Sequence, residues 1–320
     1  MSSTGTATPH IHLNQWQSSD KPERLDFNAD NQKIDQAIAN RANLNLLPNQ
    51  NLLDNWYFSD PVNQRGSLSY SAQGYTIDRW YLVNGSASLT NNGITLQKSS
   101  DKTYVEFHNR IERCELSSIY TLTAIVDGEL KSASGKISDI QHALIARGWG
   151  GDALNRIEAY IHSALNIVFV RFIFISETPH LVQAAKLELG DHQTLAHQDA
   201  SGKWVLNDPP PHKALELMKC QRYQLALSRY TRYRMADYNS NELRFLVPTP
   251  TTLRAAPTII RPENLRVRQL TGLQVEGFTF TVTVHSSEGV VIAATKTEHG
   301  LTDGQLVPIE TTPVLLDANL

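Results

Sequence analysis

The feature that most constrains this sequence is a long succession of short strand-like segments between about residues 51 and 208. No helix-forming stretch interrupts them, and Asn-Gly or Asp-Gly pairs starting at residues 84, 92 and 127 mark tight turns. The run at 167–175 carries apolar residues on both faces, as a central buried strand does. Many short antiparallel strands without intervening helices predict a mainly β fold, with a β-sandwich of jelly-roll type over residues 49–210.

Residues 1–48 have a different pattern, an extended polar segment followed by a short helix. The helix is predicted in the stretch DFNADNQKIDQAIANRANL, where Asp30 or Asn31 caps it and Pro48 ends it. Its apolar face consists of Ile34, Ala37 and Ile38. A short helix with so narrow an apolar face is marginal alone in water, so we expect it to pack against another surface, copies of itself among them.

A stiff turn at residues 207–211 marks the next boundary, and beyond it one helix precedes further strands. This helix is predicted to start at about His212. Its inward side chains are predicted to be Leu215, Met218, Tyr223 and Leu225. Strand-like segments follow, and the SSEG sequence at 286–289 has the composition of a hairpin loop. Residues 211–320 are therefore predicted to form a helix and a smaller distal β domain.

Composition and charge exclude several classes of protein. A chain of 320 residues has room for about two domains. Its 41% hydrophobic and 19% charged residues are ordinary for a globular fold. The formal net charge of -3 provides no overall basic field for nucleic acid. Cys114 and Cys220 lie far apart without any CxxC pair, so neither a disulfide framework nor a structural zinc site is expected.

The sequence also gives no membrane signal. Its longest apolar stretch, residues 164–175, contains Asn166 and Arg171 and is too short to span a bilayer. The first twelve residues, MSSTGTATPHIH, lack the basic start and apolar core of a secretory signal. We therefore expect synthesis in a cytoplasm and no membrane insertion.

Seven segments of the sequence occur together in a familiar order. They are DFNADNQKIDQAI, NLLDNWYFSDPVNQRG, GYTIDRWYL, AAKLELGDHQTLAH, WVLNDPPP, LMKCQRYQ and FLVPTPTTLRAAPTI. In this order they resemble segments of bacteriophage and prophage tail-fibre, or receptor-binding, proteins of Firmicutes phages. The resemblance covers most of residues 20–260, and the chain beyond Pro262 is not matched.

The resemblance implies an N-terminal segment that attaches to the tail baseplate, a short helix that promotes trimers, and a carbohydrate-binding-module-like sandwich. A distal β domain that meets the host surface follows. The partners implied are two further copies of the chain, baseplate proteins and a host cell-surface polysaccharide. The location implied is the virion tail or a phage-tail-like particle. Adhesion would be multivalent, because linked copies engage neighbouring glycan epitopes without any new contact.

The segment NLLDNWYFSDPVNQRG at 51–66 raises a choice between core packing and ligand binding. In one interpretation, Leu52, Trp56 and Phe58 form the inward face of the first strand, since large aromatic side chains are mostly buried. In the other, the three consecutive aromatics form a platform for a glycan. The family resemblance favours the core, and the same holds for the Trp80 that follows Asp78 and Arg79.

The sequence RGWGGD at 147–152 is the better candidate for ligand binding. Trp149 stands among three glycines, which are typical of a loop, and loops on a rigid scaffold commonly bind ligands. An exposed indole can stack on a sugar ring while Arg147 and Asp152 hydrogen-bond its hydroxyls. The alternative is a glycine-bounded turn that folds its tryptophan back onto the sandwich.

Two histidines, His10 and His12, would lie on one side of an extended N-terminal segment. In a trimer, three such pairs would present six imidazoles to one metal ion such as iron, nickel or zinc. The alternative is that both side chains are simply solvated in a mobile N-terminus. Because the sequence does not favour the metal, no cofactor is expected.

The run KCQRYQLALSRYTRYRMADY interleaves basic residues with tyrosines. That composition occurs in proteins that bind single-stranded nucleic acid. It also occurs where arginines lie on tyrosine rings at a protein surface. Since the whole chain is slightly acidic, the surface interpretation is favoured and no nucleic-acid partner is expected.

Enzymatic signatures are absent from the sequence, which contains no GxSxG, HExxH, P-loop or GxGxxG motif. A glycosidase would need two carboxyl groups about 5–10 Å apart. The nearest candidates along the sequence are Asp101, Glu106, Glu112 and Glu115. Nothing in the sequence singles out an acid and a base among them. A non-enzymatic binding protein is expected, with a polysaccharide depolymerase and a purely structural baseplate spacer as the alternatives.

Overall fold

The structure is a computed structural model of the single chain. It describes residues 7–8, 12–43, 49–112, 118–165, 167–228, 231–260, 264–308 and 313–319. The chain forms two compact units, Met1–Asn49 and Gln50–Leu320. The second unit contains a β-sandwich and a further β region, each with its own apolar core.

The first unit contains one helix, α1, which spans Arg24–Asn43. It begins six residues before Asp30, so the predicted cap is wrong. The carboxylate of Asp30 instead accepts hydrogen bonds from the backbone and side chain of Asn14. The N–H of Glu23 donates to Asp26 three residues on, which is one half of a capping box and stabilises the earlier start.

The sandwich, as predicted, is built from antiparallel strands. Its strands are β1 Ser69–Tyr70, β2 Gly74–Tyr75, β3 Tyr81–Val83, β4 Gly85–Thr90, β5 Gly93–Lys98, β6 Val105–Ile111, β7 Tyr120–Val126, β8 Glu129–Gly135, β9 Leu144–Arg147, β10 Arg156–His162, β11 Ile167–Phe174 and β12 His180–Leu189. The first sheet has the order β1-β4-β5-β12-β7-β8 and the second the order β2-β3-β6-β11-β10-β9. Short 3₁₀ turns lie at Ile140–His142 and Trp149–Gly151. Because the chain repeatedly crosses between the two sheets, the sandwich is of the jelly-roll type.

Turn residues account for the hairpins and for one crossing. Asp127 and Gly128 take φ values of +53° and +78° between β7 and β8, as a two-residue hairpin turn requires at both positions. Between β4 and β5 the loop is Asn91-Asn92, because Gly93 already pairs with Thr90 as the first residue of β5. The pair Asn84-Gly85 differs, because it connects β3 in the second sheet to β4 in the first. It is therefore a crossing between sheets and not a hairpin.

The core between the two sheets is dominated by aromatic rings. The rings of Trp80 and Phe107 stack with centroids 4.9 Å apart, and Phe58 meets Trp80 edge-on at 5.0 Å. Strand β11 is buried along almost its whole length and lies between β6 and β10, as predicted for a central strand. These contacts place the apolar interior where the alternating residues of both sheets meet.

The segment 51–58 packs into this core, but it is not a strand. Asn55 has a φ of +57°, which interrupts the alternation of an extended chain, so Leu53 is fully buried and Leu52 only partly. Trp56 and Phe58 are buried as the core interpretation predicts. Phe58 donates its N–H to the carbonyl of Gln183 on β12, which fixes the segment against the first sheet.

A small hairpin and the second β region follow the sandwich. Their elements are β13 Ala196–Gln198, β14 Trp204–Leu206, α2 Lys213–Gln221, β15 Gln224–Ala226, β16 Tyr233–Tyr238, β17 Glu242–Pro248, β18 Thr258–Ile260, β19 Leu265–Arg268, β20 Gln274–Val275, β21 Thr279–His285, β22 Gly289–Thr295, β23 Gln305–Pro308 and β24 Leu315–Asp317. Strands β15, β24 and β18 form one sheet, and seven strands form the other, in the order β20-β19-β23-β16-β17-β22-β21. The hairpin predicted at the SSEG sequence joins β21 to β22.

Helix α2 starts after His212 as predicted, but its buried face differs from the prediction. Leu215 and Met218 are 60% and 51% exposed, whereas Glu216 and Cys220 are buried. Glu216 is buried because its carboxylate accepts the backbone N–H of Asn55, so a polar contact orients the helix. Among the described residues no helix is long and apolar enough to cross a membrane.

A polar cluster, here called the joint, connects the sandwich to the second β region. It consists of Gln64, Asp78 and Gln224. The buried carboxylate of Asp78 accepts hydrogen bonds from the Gln64 backbone at 3.0 Å, from the Gln64 side chain at 2.6 Å and from the Gln224 side chain at 3.2 Å. Gln64 also donates to the carbonyl of Gln224 at 2.7 Å. Two hydrogen bonds, one from Gln64 and one to Asp78, therefore connect Gln224 to the sandwich.

An arginine on an aromatic ring reinforces the joint. The guanidinium of Arg79 lies 3.4 Å from the ring centroid of Tyr223 and also donates to the carbonyl of Arg110. Its side chain is 2% exposed and forms an ion pair with Asp54 at 3.4 Å. The carboxylate, the carbonyl and the aromatic face all attract the cation, and together they offset the free-energy cost of burying it.

The joint makes stability depend on pH. Burial, opposed by the hydrogen bonds from Gln64 and by the charges of Arg65 and Arg79, raises the pKa of Asp78 from 3.8 to about 6. A raised pKa means that the folded state binds the proton more tightly, so this contribution to stability is present below pH 4 and lost as the pH rises through 6. At ~1.4 kcal/mol per pKa unit, the change is roughly 3 kcal/mol.

We expect the free energy of unfolding of the wild type, relative to that of Asp78→Asn, to fall as the pH rises from about 4 to about 6. The difference between the two proteins cancels the titration of groups that they share. Urea unfolding of both at each half pH unit from 4 to 7 measures it. Parallel pH profiles would show that Asp78 titrates alike in the folded and unfolded chain.

Candidate functional site

A large groove lies between the sandwich and the second β region and is here called the tyrosine groove. Its volume is about 840 Å³. Its sandwich side contains Arg65, Tyr70, Gln73, Tyr75 and Tyr81, and its other side contains Ile260, Pro313, Leu315 and Asp317. Both sides belong to the same compact unit. A groove of this size with aromatic walls and a few polar groups is typical of small-molecule or glycan recognition.

The polar groups of the tyrosine groove are arranged around two tyrosine rings. Tyr75 and Tyr81 meet edge-to-face with centroids 5.0 Å apart, and the Arg65 guanidinium lies 5.7 Å from the Tyr75 ring. Gln73 donates to the Tyr81 hydroxyl at 3.4 Å, and Asp317 pairs with Arg65 at 4.0 Å. Apolar ring faces beside amide, guanidinium and carboxylate groups can stack on a sugar ring and bond its hydroxyls at once.

Burial raises the pKa of two groove tyrosines, Tyr70 and Tyr75. It raises the pKa of Tyr70 to about 12, although the hydrogen bond to Asn63 lowers it, and it also raises the pKa of Tyr75. Burial lowers the pKa of Arg65, opposed mainly by the charge of Asp317. Since a guanidinium stays charged in proteins, the groove offers neutral hydroxyls and one cation across the physiological pH range.

Tyr81 also belongs to the outer face of the second sheet, the side turned away from the core. The register aligns Tyr81 with His108, His108 with Arg171, and Arg171 with Glu158 across four strands. Tyr81 and His108 stack at 5.1 Å. This face is therefore continuous with the tyrosine groove at Tyr81.

Arg171 lies at the centre of the outer face, between two carboxylates. It donates to Glu106 at 3.1 Å and to Glu158 at 2.7 Å. Burial raises the pKa of Glu106, but the hydrogen bond from His108 and the charge of Arg171 outweigh it, so the net pKa is lowered. Burial lowers the pKa of Arg171, yet the two carboxylates outweigh this and the net pKa is raised.

This arrangement decides the chemistry available to the outer face. Burial lowers the pKa of His108 more than Glu106 raises it, so the imidazole is neutral. The carboxylate of Glu106 can only accept, so Nδ1 of His108 donates to it at 2.7 Å and Nε2 carries the lone pair. Among the described residues Nε2 has no hydrogen-bond partner. A carboxylate whose pKa is lowered suits charge pairing and not the general-acid role that glycoside hydrolysis requires.

The structure places the predicted tryptophan inside the sandwich. Trp149 is fully buried, and its indole N–H donates to the carbonyl of Glu129 at 3.0 Å. An indole without an exposed face cannot stack on a sugar, so Trp149 as a ligand platform is wrong. The glycine-bounded turn that returns its tryptophan to the core, the other interpretation of this loop, describes the structure.

The other two residues of that candidate do not converge on a common point. Arg147 is exposed at the end of β9, and Asp152 uses its carboxylate to accept the N–H of Leu154 at 2.8 Å. Asp152 therefore stabilises its own turn. Without the indole between them, the two side chains define no sugar site.

Of the two histidines predicted as metal ligands, only His12 lies within the described residues. His10 lies outside the described residues, while His12 has a φ of +53° and offers its backbone carbonyl to the Lys33 side chain at 2.7 Å. Within the described ranges, no group of three or more His, Cys, Asp or Glu side chains could hold a metal ion. The trimeric metal site thus stays a prediction.

The described residues of the basic and aromatic run are divided among the three elements α2, β15 and β16. Lys219 pairs with Glu216 at 3.1 Å on α2, and Arg222 pairs with Glu112 at 3.3 Å. Tyr233 on β16 is buried, whereas Tyr238 at the end of that strand is 49% exposed. The paired cations fit the surface interpretation of this run.

Sequence reasoning missed the tyrosine groove for an identifiable reason. Tyr70, Tyr75 and Tyr81 fall within a short stretch of mixed polar and apolar residues without a regular period, SLSYSAQGYTIDRWY, which is a weak signal. Their partners, Ile260, Leu315 and Asp317, are more than 150 positions away. Only the fold brings the two sets together.

The charge network on the outer face leads to a stability prediction. We expect Arg171→Met to lower the free energy of unfolding by about 3 kcal/mol, because it removes the cation between two buried carboxylates and leaves Arg156 as a partner of Glu158 alone. Adding Glu106→Gln and Glu158→Gln should restore most of that loss. Urea unfolding of the single and triple variants measures both effects.

Arg244→Met is the matched control, since Arg244 pairs with Glu242 on an exposed surface. It should change the free energy of unfolding far less than Arg171→Met does. Equal effects of the two substitutions, or no recovery in the triple variant, would contradict the paired role of Arg171.

Comparisons of the chain with protein-family models, with curated proteins and with solved structures found no match in any of the three. What this protein does must therefore be inferred from its own geometry.

Proposed function

We propose that this chain is a structural tail-fibre component of a phage or phage-tail-like particle, and that it binds a host cell-surface glycan through the tyrosine groove. Residues 1–48 attach the chain to baseplate proteins and align three copies. The sandwich and the distal β region bind the polysaccharide without cleaving it. The protein is made in the host cytoplasm and is carried on the virion tail.

The tyrosine groove is the observation that carries this proposal. A glycan presents apolar ring faces and many hydroxyl groups, and the groove offers half-buried tyrosine rings beside Arg65, Gln73 and Asp317. The rigid strands β2 and β3 hold Tyr75 and Tyr81 at a fixed edge-to-face angle. Pre-organised aromatic side chains bind with little loss of conformational freedom.

The first unit supports assembly into a trimer. On α1 the side chains of Leu25 and Phe27 are 72% and 52% exposed in the single chain. Large exposed apolar residues on a helix gain free energy when copies of that helix pack together. Three linked copies then turn weak single-site binding into avidity, by a factor of about 10²–10⁴ when neighbouring epitopes are in reach.

The outer face of the second sheet favours adhesion over depolymerisation. The carboxylates of Glu106 and Glu158 both pair with Arg171, and the lowered pKa of Glu106 leaves it without a proton to donate. A glycosidase needs one protonated and one ionised carboxyl group around the scissile bond. A purely structural spacer would have no use for the tyrosine groove.

We expect the purified chain to bind polysaccharides released from Firmicutes cell walls, and the double variant Tyr75→Ala/Tyr81→Ala to bind about 30-fold more weakly. Each ring contributes about 1 kcal/mol when it stacks, and 1.4 kcal/mol corresponds to about tenfold in affinity. Binding to an array of the immobilised polysaccharides measures the affinity of both proteins.

Tyr238→Ala is the control for this experiment, because Tyr238 is an exposed tyrosine outside the tyrosine groove. It should bind like the wild type. Failure of the wild type to bind any wall fraction would favour the spacer. Release of new reducing ends from the polysaccharide would favour a depolymerase.

For assembly, we expect a particle mass of three times 35.8 kDa at micromolar concentration. Leu25→Glu, which places three carboxylates where apolar side chains would meet, should shift the mass toward that of the single chain. Light scattering after gel filtration measures both proteins. A strictly monomeric wild type would contradict the trimer.

A further inference from the structure

Three side chains from two connections of the sandwich meet at one end of it, here called the His180 cluster. Asp127 lies in the turn between β7 and β8, and Ser176 and His180 flank the connection from β11 to β12. None of the three belongs to the tyrosine groove or to the outer face of the second sheet.

The distances within the His180 cluster are those of a nucleophile, a base and an orienting carboxylate. Oγ of Ser176 lies 2.5 Å from Nε2 of His180, and Nδ1 of His180 lies 2.6 Å from Oδ2 of Asp127. The second carboxylate oxygen of Asp127 accepts the N–H of Leu181 at 2.8 Å, which fixes the carboxylate plane. Such a constellation is recognised by geometry and not by order in the sequence.

The proton positions in the cluster follow from a neighbouring amide. The backbone N–H of Ile175 can only donate, so the atom of Asn155 facing it at 3.0 Å is the carbonyl oxygen. Its amide nitrogen therefore faces the carbonyl of Trp149 at 3.1 Å and Nε2 of His180 at 3.3 Å. Because that nitrogen only donates, Nε2 accepts, and the ring proton is on Nδ1 facing Asp127.

This tautomer is the one that activates a serine. With its lone pair on Nε2, His180 accepts the hydroxyl proton of Ser176, and the carboxylate of Asp127 stabilises the imidazolium that forms. The imidazole is also held rigidly, since its side chain is 4% exposed and stacks on Phe174 at 4.4 Å. A fixed base within hydrogen-bond reach is the geometric requirement for nucleophilic catalysis.

The nucleophile can be reached from solvent. Ser176 is half-buried and residues 177–179 beside it are exposed. Gly150 lies against the imidazole, where an added Cβ would come within 3.4 Å of Cε1 of His180. The glycine loop therefore leaves one edge of the cluster without a covering side chain.

We propose that Ser176, His180 and Asp127 form a hydrolytic triad for carboxylic esters with a short acyl group, such as O-acetyl substituents. Oγ of Ser176 attacks the ester carbonyl while Nε2 of His180 takes its proton, and the imidazolium then returns that proton to the leaving alcohol. An acyl-serine remains. Water, deprotonated by His180, attacks it and releases the carboxylic acid and the free serine, so ester and water give alcohol and acid.

A short acyl group is specified because the cluster lies at an open surface. Residues 177–179 beside Ser176 are exposed, so a long acyl chain at this point would lie in solvent. The alcohol side of the ester is free to be large, since it extends into solvent. This activity is independent of the glycan binding proposed above, and either can fail without the other.

Two measurements on the full-length chain test the triad. The first is hydrolysis of p-nitrophenyl acetate, which should fall about 100-fold in Ser176→Ala, because the base then has no nucleophile to activate. The second is labelling with a fluorophosphonate, in which the Oγ–P bond forms, the P–F bond breaks and fluoride leaves. Peptide mapping by mass spectrometry should locate one phosphonyl group on Ser176.

Ser201→Ala is the matched control, because the hydroxyl of Ser201 bonds a carboxylate, Asp199 at 2.6 Å, and no imidazole. It should keep both ester hydrolysis and labelling. Asp127→Asn should lower both, since it removes the charge that stabilises the imidazolium. Melting curves confirm that each variant is folded.

Folded Ser176→Ala that hydrolyses the ester as fast as the wild type would overturn the triad. Absence of the phosphonyl group from the peptide that contains Ser176 in the wild type would overturn it as well.

Discussion

The buried carboxylate of Asp78 is the contact on which the arrangement of the second unit depends. Its three hydrogen-bond donors come from Gln64 in the sandwich and Gln224 in the second β region. A buried acceptor without donors costs about 1–3 kcal/mol. Gln64 satisfies Asp78 within the sandwich, and the third donor, Gln224, is added when the second β region packs against it. The stretch NLLDNWYFSDPVNQRG thus has two roles. Its aromatic side chains fill the core, and Gln64 near its polar end belongs to the joint.

The tyrosine groove is a consequence of the joint. Arg65, next to Gln64, donates to the Gln224 side chain and pairs with Asp317, so the residue after the joint is the one that enters the groove. One wall comes from residues 65–81 and the other from residues 260–317. A binding surface built on two regions keeps its shape only while those regions stay fixed. The buried joint and the half-buried tyrosine rings accordingly lie within a few residues of each other.

The sequence predicted the features that are set locally. The hairpin at Asp127, the central strand β11 and the start of α2 at His212 follow from turn chemistry, apolar runs and helix-start signals. Which side chains of a helix are buried could not be predicted where a hydrogen bond to a distant segment determines it. Glu216 turns α2 so that Leu215 is exposed, because its carboxylate accepts the N–H of Asn55 from a distant segment.

The candidate sites were harder to predict for the same reason. Trp149 looked exposed because glycines surround it, yet a single acceptor, the carbonyl of Glu129, allows its indole to be buried. The groove tyrosines and their partners are separated by most of the chain. The residues of the His180 cluster belong to no sequence motif, and they meet only because the β7–β8 hairpin turn lies beside the β11–β12 crossing between the sheets.

The register of the second sheet separates the two proposed activities in space. Arg79 reaches the carbonyl of Arg110 near the end of β6, and β6 runs antiparallel to β11, so the joint lies at the end where β11 begins. Ser176 follows the other end of β11. At about 3.3 Å per residue, the eight residues of that strand place roughly 25 Å between them. The groove itself is nearer, since Tyr81 aligns through His108 with Arg171, five residues before Ser176 and two strands away from Tyr81. A glycan chain bound there would still need to extend roughly 20 Å, several sugars, before an ester on it reached Ser176. The triad therefore acts either on long polymers or on a different molecule.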